Sequence, residues 1–107
     1  MATKVKLFGA IQDSEKLELN KPYLVRIGER EICLIRRADQ MVAFKNQCPH
    51  LRHPLHLGHT NPFGEIVCPL HTYKFNLTTG EEADQKCSSL EFYEIEIEKS
   101  GEVMILV

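Results

Sequence analysis

Cys48-Pro49-His50 and, after a spacer of seventeen residues, Cys68-Pro69-Leu70-His71 decide how this chain is read, because each short segment brings one thiol and one imidazole. A structural zinc site usually draws on C-x₂₋₄-C followed by H-x₃₋₅-H, with like ligands grouped by segment. Here the order is Cys, His, Cys, His. Two such loops facing each other place both sulfurs on one metal and both nitrogens on a second. The alternation therefore fits a two-metal cluster better than a zinc-stabilised structural module, which stands as the competing reading.

The run from Cys48 to Gly58, followed by Cys68-Pro-Leu-His-Thr-Tyr-Lys-Phe-Asn-Leu-Thr-Thr-Gly80, resembles the cluster-binding part of Rieske-type ferredoxins. The ligand loops, Gly58 and the trailing Lys-Phe-Asn-Leu-x-Thr-Gly all fit that family's pattern. The match is specific over about residues 42–82. The resemblance implies a small all-β protein with antiparallel sheets and two cluster-binding loops. It implies one [2Fe–2S] cluster held by Cys48, His50, Cys68 and His71, with the cysteines on the inner iron and the histidines on the outer, more exposed one. In such centres two His replace two Cys on one iron. Two ferric ions, two sulfides and two thiolates sum formally to zero, two negative charges fewer than an all-cysteine site. The less negative cluster accepts an electron more readily, moving the potential from about −400 mV to a window of roughly −150 to +300 mV.

Departures from the family set further expectations. Rieske proteins of quinol-oxidising complexes carry an extra cysteine in each loop, joined as a disulfide; the corresponding positions here are His53 and Leu70, so that brace cannot form. That type also donates hydrogen bonds from a serine and a tyrosine where this chain has Tyr73 and Phe75, and Phe75 has no donor. A potential at the low end of the window follows, as in ferredoxins that serve oxygenases. Many ferredoxin-type relatives have a glycine close behind the first His, whereas this loop reads Leu51-Arg52-His53-Pro54. His53, His56 and His59 recur every third residue and with Arg52 offer a cationic rim; no acid or cysteine accompanies them to make a second metal site, and solvated loop histidines are the plain reading.

At 107 residues the chain suits one domain, 1–107, with a single core. Hydrophobic content of 43% and charged content of 26% fit a globular protein. The first residues contain no apolar signal-like region and no run is long enough for a membrane span, so a cytoplasmic location is expected. Net charge is −2, with basic excess before residue 80 and acidic excess after it, and no basic patch with interleaved aromatics suggests nucleic acid. Cys33, in the apolar run Ile32-Cys-Leu-Ile35, reads as a buried thiol; Cys87, after a polar stretch, reads as a surface or partly buried one.

Alternation is common and helical periodicity scarce, which predicts an all-β fold. Strands are expected at 23–27 and 31–36 across a Gly28-Glu29 turn, at 41–45, at 65–67 and at 73–77 before a Thr79-Gly80 turn. In residues 90–98, Tyr93, Ile95 and Ile97 face one side and Glu94, Glu96 and Glu98 the other, as on the wet face of an edge strand or a docking stripe; Ser100-Gly101 then turns into a closing strand. The spacer between the ligand loops reads as ordered loop.

The function implied is electron transfer by a monomer with no substrate chemistry of its own, carrying single electrons from a flavin-containing NAD(P)H-dependent reductase to a terminal oxygenase. The alternative is a cluster-bearing accessory subunit of a larger reductase, such as the small subunit of nitrite reductase.

Overall fold

The structure, a computed structural model, describes residues 4–6, 16–38, 40–50, 52–70 and 72–106. Leu51 and His71 lie outside them, as does most of the amino-terminal stretch.

The strands are β1 (Lys4–Lys6), β2 (Pro22–Ile27), β3 (Arg30–Arg36), β4 (Met41–Lys45), β5 (His59–Thr60), β6 (Glu65–Val67), β7 (Lys74–Asn76), β8 (Phe92–Ile97) and β9 (Val103–Leu106). They form a six-stranded sheet, β1-β9-β8-β4-β3-β2, and a three-stranded sheet, β5-β6-β7. Every strand pair is antiparallel. The all-β expectation is met, and its strands reappear with ends moved by a residue or two.

The β2–β3 hairpin shows why. Ile27 pairs with Arg30, leaving Gly28-Glu29 as a two-residue turn. Gly28 has φ 61°, a left-handed value that glycine adopts without a Cβ clash, and glycine in the first turn position is the type II′ preference that matches strand twist. Beyond the turn, Ile32, Cys33, Leu34 and Ile35 are all fully buried. Their side chains alternate between two apolar clusters. Ile32 and Leu34 join Leu17, Val25, Ala43, Val103 and Ile105. Cys33 and Ile35 join Phe44, Leu55, Ile66, Phe75, Leu77 and Leu90, together with Cys48 and Cys68. A strand covered on both faces needs a continuous apolar run, which is what the sequence shows.

The spacer is more structured than an irregular loop. It contains a 3₁₀ turn at Leu55–Leu57 and strand β5, whose His59 pairs with Val67 and Thr60 with Ile66. Asn46, buried at the end of β4, secures this segment: its Oδ1 accepts the His56 N–H at 2.7 Å and its Nδ2 lies 2.8 Å from His56 Nδ1. His56 is thus a structural partner, not a solvated loop histidine. Gly58 is dictated by crowding. A Cβ there would overlap the carbonyl oxygen of Val67, the residue that leads into Cys68.

Two other expectations change. β8 lies between β4 and β9, so its glutamates stand on an interior strand, not an edge. Ile97, at its end, is 45% exposed instead of sharing the covered side of Tyr93 and Ile95. The two cysteine loops come from different sheets, the first leaving β4 and the second joining β6 to β7.

Two outcomes are expected. Gly58→Ala lowers stability by about 1–3 kcal/mol through overpacking, and iron loading falls with it because the displaced carbonyl adjoins Cys68; unchanged denaturant midpoint and iron content would contradict the close approach. Burial pushes the Cys33 thiol well above the ordinary range. Above about pH 8.5 the unfolded chain loses a proton that the folded chain keeps, so stability falls with rising pH, by up to about 1.4 kcal/mol per pH unit from this group, and is unaffected by it at lower pH. Urea titrations from pH 8 to 10 should show that Cys33→Ala has the shallower slope.

Candidate metal centre

Cys48 follows β4 after Asn46 and Gln47, and its loop closes on itself: the Cys48 N–H donates to the His53 carbonyl at 2.9 Å and the Arg52 N–H to the Cys48 carbonyl at 2.7 Å. Arg52 takes the left-handed conformation, φ 59°. The bulkier loop tip thus makes its tight turn without glycine, at a conformational cost for a residue with a Cβ. The second loop extends the β6–β7 ladder, with the Cys68 N–H donating to the Tyr73 carbonyl at 2.7 Å, and contains Thr72 at φ 53°. A β-branched residue there is a genuine outlier. Among the described residues each of the two loops therefore holds one strained backbone position, as functional sites often do.

The sequence-predicted residues divide by depth. Cys48 and Cys68 are 1% and 0% exposed and lie together in one buried cluster, close enough for the Cys48 side chain to act on the Cys68 thiol. Burial pushes the Cys68 thiol up to about 11; the Leu70 N–H, donating to its sulfur, works against that rise, and the Cys48 side chain adds to it. His50 lies nearer the surface, half-buried, with its Nδ1 atom covered. Beyond the cysteines the second loop is open, with Pro69, Leu70 and Thr72 exposed. His71 is outside the described residues. Among the described residues no three His, Cys, Asp or Glu side chains gather as one metal ion requires.

This arrangement fits an iron–sulfur group by donor chemistry. Two thiols meet at the apolar floor of the site, where a pair of uncompensated thiolates is costly, and a metal removes that cost by replacing their protons. A backbone N–H already points at one sulfur, the kind of contact that tunes a cluster. The donor that Phe75 lacks is thus partly supplied by Leu70's main chain, a contribution side-chain identity does not reveal.

Three contacts were not foreseen. Cys87 is half-buried and packs against the cluster of residues that contains Cys48 and Cys68; its thiol is raised by burial first, then by the charges of Cys48 and Glu82. Of the two readings of Cys87, the partly buried one holds. The Tyr73 ring lies against the His50 ring, with centroids 4.2 Å apart and planes 12° from parallel. Lys86 Nζ sits 5.3 Å from the Tyr73 centroid. The three spacer histidines part company: His53 closes the first loop through its carbonyl, His56 binds Asn46, and His59 is exposed on β5.

Comparison with known proteins agrees with this geometry. Residues 8–94 match the family described as the Rieske [2Fe-2S] domain. A human Rieske domain-containing protein is 32% identical over 93 residues, covering 72% of this chain and 59% of that protein, so the chain spans little more than half of that relative's length. Ferredoxin CarAc of Metapseudomonas resinovorans is 33% identical over 82 residues, covering 75% of this chain and 74% of that protein. Among solved structures, the complex of reduced oxygenase and oxidized ferredoxin in carbazole 1,9a-dioxygenase contains a chain with a TM-score of 0.80 and 27% identity, covering 94% of this chain and 99% of that one. The pairing of two buried, touching cysteines with a histidine nearer the surface, in a fold these proteins share, places the chain in the Rieske [2Fe-2S] family, whose cofactor is one [2Fe–2S] cluster.

Proposed function

We propose that the chain is a one-electron carrier, a single Rieske unit in which Cys48, His50, Cys68 and His71 hold the cluster and pass electrons from an NAD(P)H-dependent flavoprotein reductase to a terminal oxygenase. The observation that carries this reading is the pairing of Cys48 with Cys68 at the buried end of two loops, with His50 half-buried nearer the surface and the second loop exposed beyond its cysteine.

When bound, the cluster supplies reversible one-electron chemistry in the window set by its mixed sulfur and nitrogen ligands. The protein's own residues prepare for it. Cys48 and Cys68 enter from separate sheets and supply the two sulfurs, sealed from water by Leu55, Ile66 and Phe75. The Leu70 N–H withdraws electron density from the Cys68 sulfur. His50 stands nearer the surface, where a partner can approach without opening the core. Leu70, 36% exposed at the loop tip, offers that partner an apolar contact.

A terminal oxygenase as the acceptor is supported by the carbazole dioxygenase complex, in which a ferredoxin of this fold is seen with its oxygenase. A reducing, cytoplasmic setting is supported by all four cysteines being free, since disulfides persist mainly in oxidising compartments. Among the described residues no helix is long and apolar enough to cross a membrane.

A redox titration followed by electron paramagnetic resonance tests the reading. The reduced protein should give one paramagnetic centre with a midpoint in the negative part of the window, between about −150 mV and zero, and mixing it with an oxidised oxygenase should return it to the silent state. Cys48→Ser and His71→Ala should each remove the signal, and His59→Ala should keep it. A midpoint well above zero contradicts the low-potential assignment; a signal that survives His71→Ala contradicts the ligand set.

A further inference from the structure

We propose that Tyr73 is a positioning residue that clasps the two ligand loops together through the His50 ring, and that Lys86, seated on Tyr73, sets the potential of the site. The inference rests on the cluster reading above and assigns roles to two residues outside its ligand set.

Tyr73 belongs to the second loop and His50 to the first. Tyr73 is fixed from its backbone, where its carbonyl accepts the Cys68 N–H at 2.7 Å, and from its side chain, which packs against the core cluster holding both cysteines. Its ring is near-parallel to His50's at 4.2 Å. A ring so anchored lets His50 rotate little about its side-chain bonds, so the nitrogen that would meet iron keeps its direction whatever the exposed loop tip does. The same stack excludes water from one face of the imidazole.

Lys86 adds a charge to this geometry. Its ammonium lies 5.3 Å from the Tyr73 centroid, where the negative face of an aromatic ring attracts a cation. The lysine is placed from behind: the buried Glu82 carboxylate accepts both the Asp84 N–H at 3.1 Å and the Lys86 N–H at 2.9 Å, holding the turn that presents it. Asp84 lies 3.5 Å from Lys86 Nζ and offsets part of the charge, but both side chains are more than half exposed, so this pair is weak. A positive charge beside the outer end of the site favours the reduced, more negative state. Removing it favours the oxidised state.

Three variants separate the roles. Lys86→Gln, at an exposed position that the fold tolerates, should shift the one-electron equilibrium about threefold toward the oxidised form, which is a fall of about 30 mV by the 59 mV per tenfold relation. Tyr73→Leu should load iron and sulfide but alter the resonance anisotropy of the reduced centre, and in the metal-free protein it should abolish the ring-current displacement of the His50 ring protons in the nuclear magnetic resonance spectrum. Tyr73→Phe keeps the ring and loses the hydroxyl, and should match the parent protein in all three readouts. An unchanged potential in Lys86→Gln, or a Tyr73→Phe variant that behaves as Tyr73→Leu does, overturns the proposal. Should the parent protein itself bind no iron and sulfide, the cluster reading fails instead, and the ring-current measurement alone judges whether the clasp exists.

Discussion

Two thiols forced side by side in an apolar interior is the constraint on which the rest of this structure depends. Cys48 and Cys68 arrive from different sheets, are almost wholly buried and touch. As neutral thiols they are tolerable; as the thiolates that ligate metal they need a cation between them and donors around them. That requirement explains the surroundings: a closed first loop, a second loop continuous with a hairpin, a main-chain N–H aimed at sulfur, and large apolar side chains sealing the floor. The fold holds the ligands rigidly enough that little rearrangement should accompany a change of charge, which is what a carrier of single electrons needs.

The rigidity has a local cost. Arg52 and Thr72 both occupy left-handed backbone, a conformation that costs a residue with a Cβ about 1–2 kcal/mol. The cross-loop contacts offset it. Asn46 ties the entry of the first loop to the spacer through His56, Gly58 lets the spacer lie directly on the carbonyl before Cys68, and Tyr73 bridges to His50. The spacer is thus the wedge that sets the spacing of the two loops.

Much of this was legible from the residues. The Cys-x-His and Cys-x-x-His pairs announced the site because few arrangements need alternating sulfur and nitrogen donors, and the apolar run Ile32 to Ile35 announced a strand with a buried thiol in it. Other features left no readable trace. Strand β5 is two residues long and carries no periodicity. The place of β8 inside the sheet depends on long-range pairing with β4 and β9, which a pattern of alternating glutamates does not encode. Cys87 read as either a surface or a partly buried thiol because its neighbours in sequence are polar; its neighbours in space, Cys48 and the core, decide for the second. Tyr73 was visible only as a residue lacking serine's role, since stacking across two loops is a property of their juxtaposition. His71 lies outside the described residues, so its part rests on its place in the motif.

The central claim is that sulfur and nitrogen are segregated, with both thiolates on one iron, deep in the fold, and both imidazoles on the other. Mössbauer spectroscopy of protein loaded with ⁵⁷Fe tests this most directly, because it resolves each iron by its ligands and oxidation state. The account predicts two inequivalent sites in equal amounts, with the ferrous character of the reduced protein confined to the iron that carries nitrogen, since the thiolate-bound iron is the more electron-rich. Two equivalent iron sites, or an added electron residing on the sulfur-only iron, would contradict it.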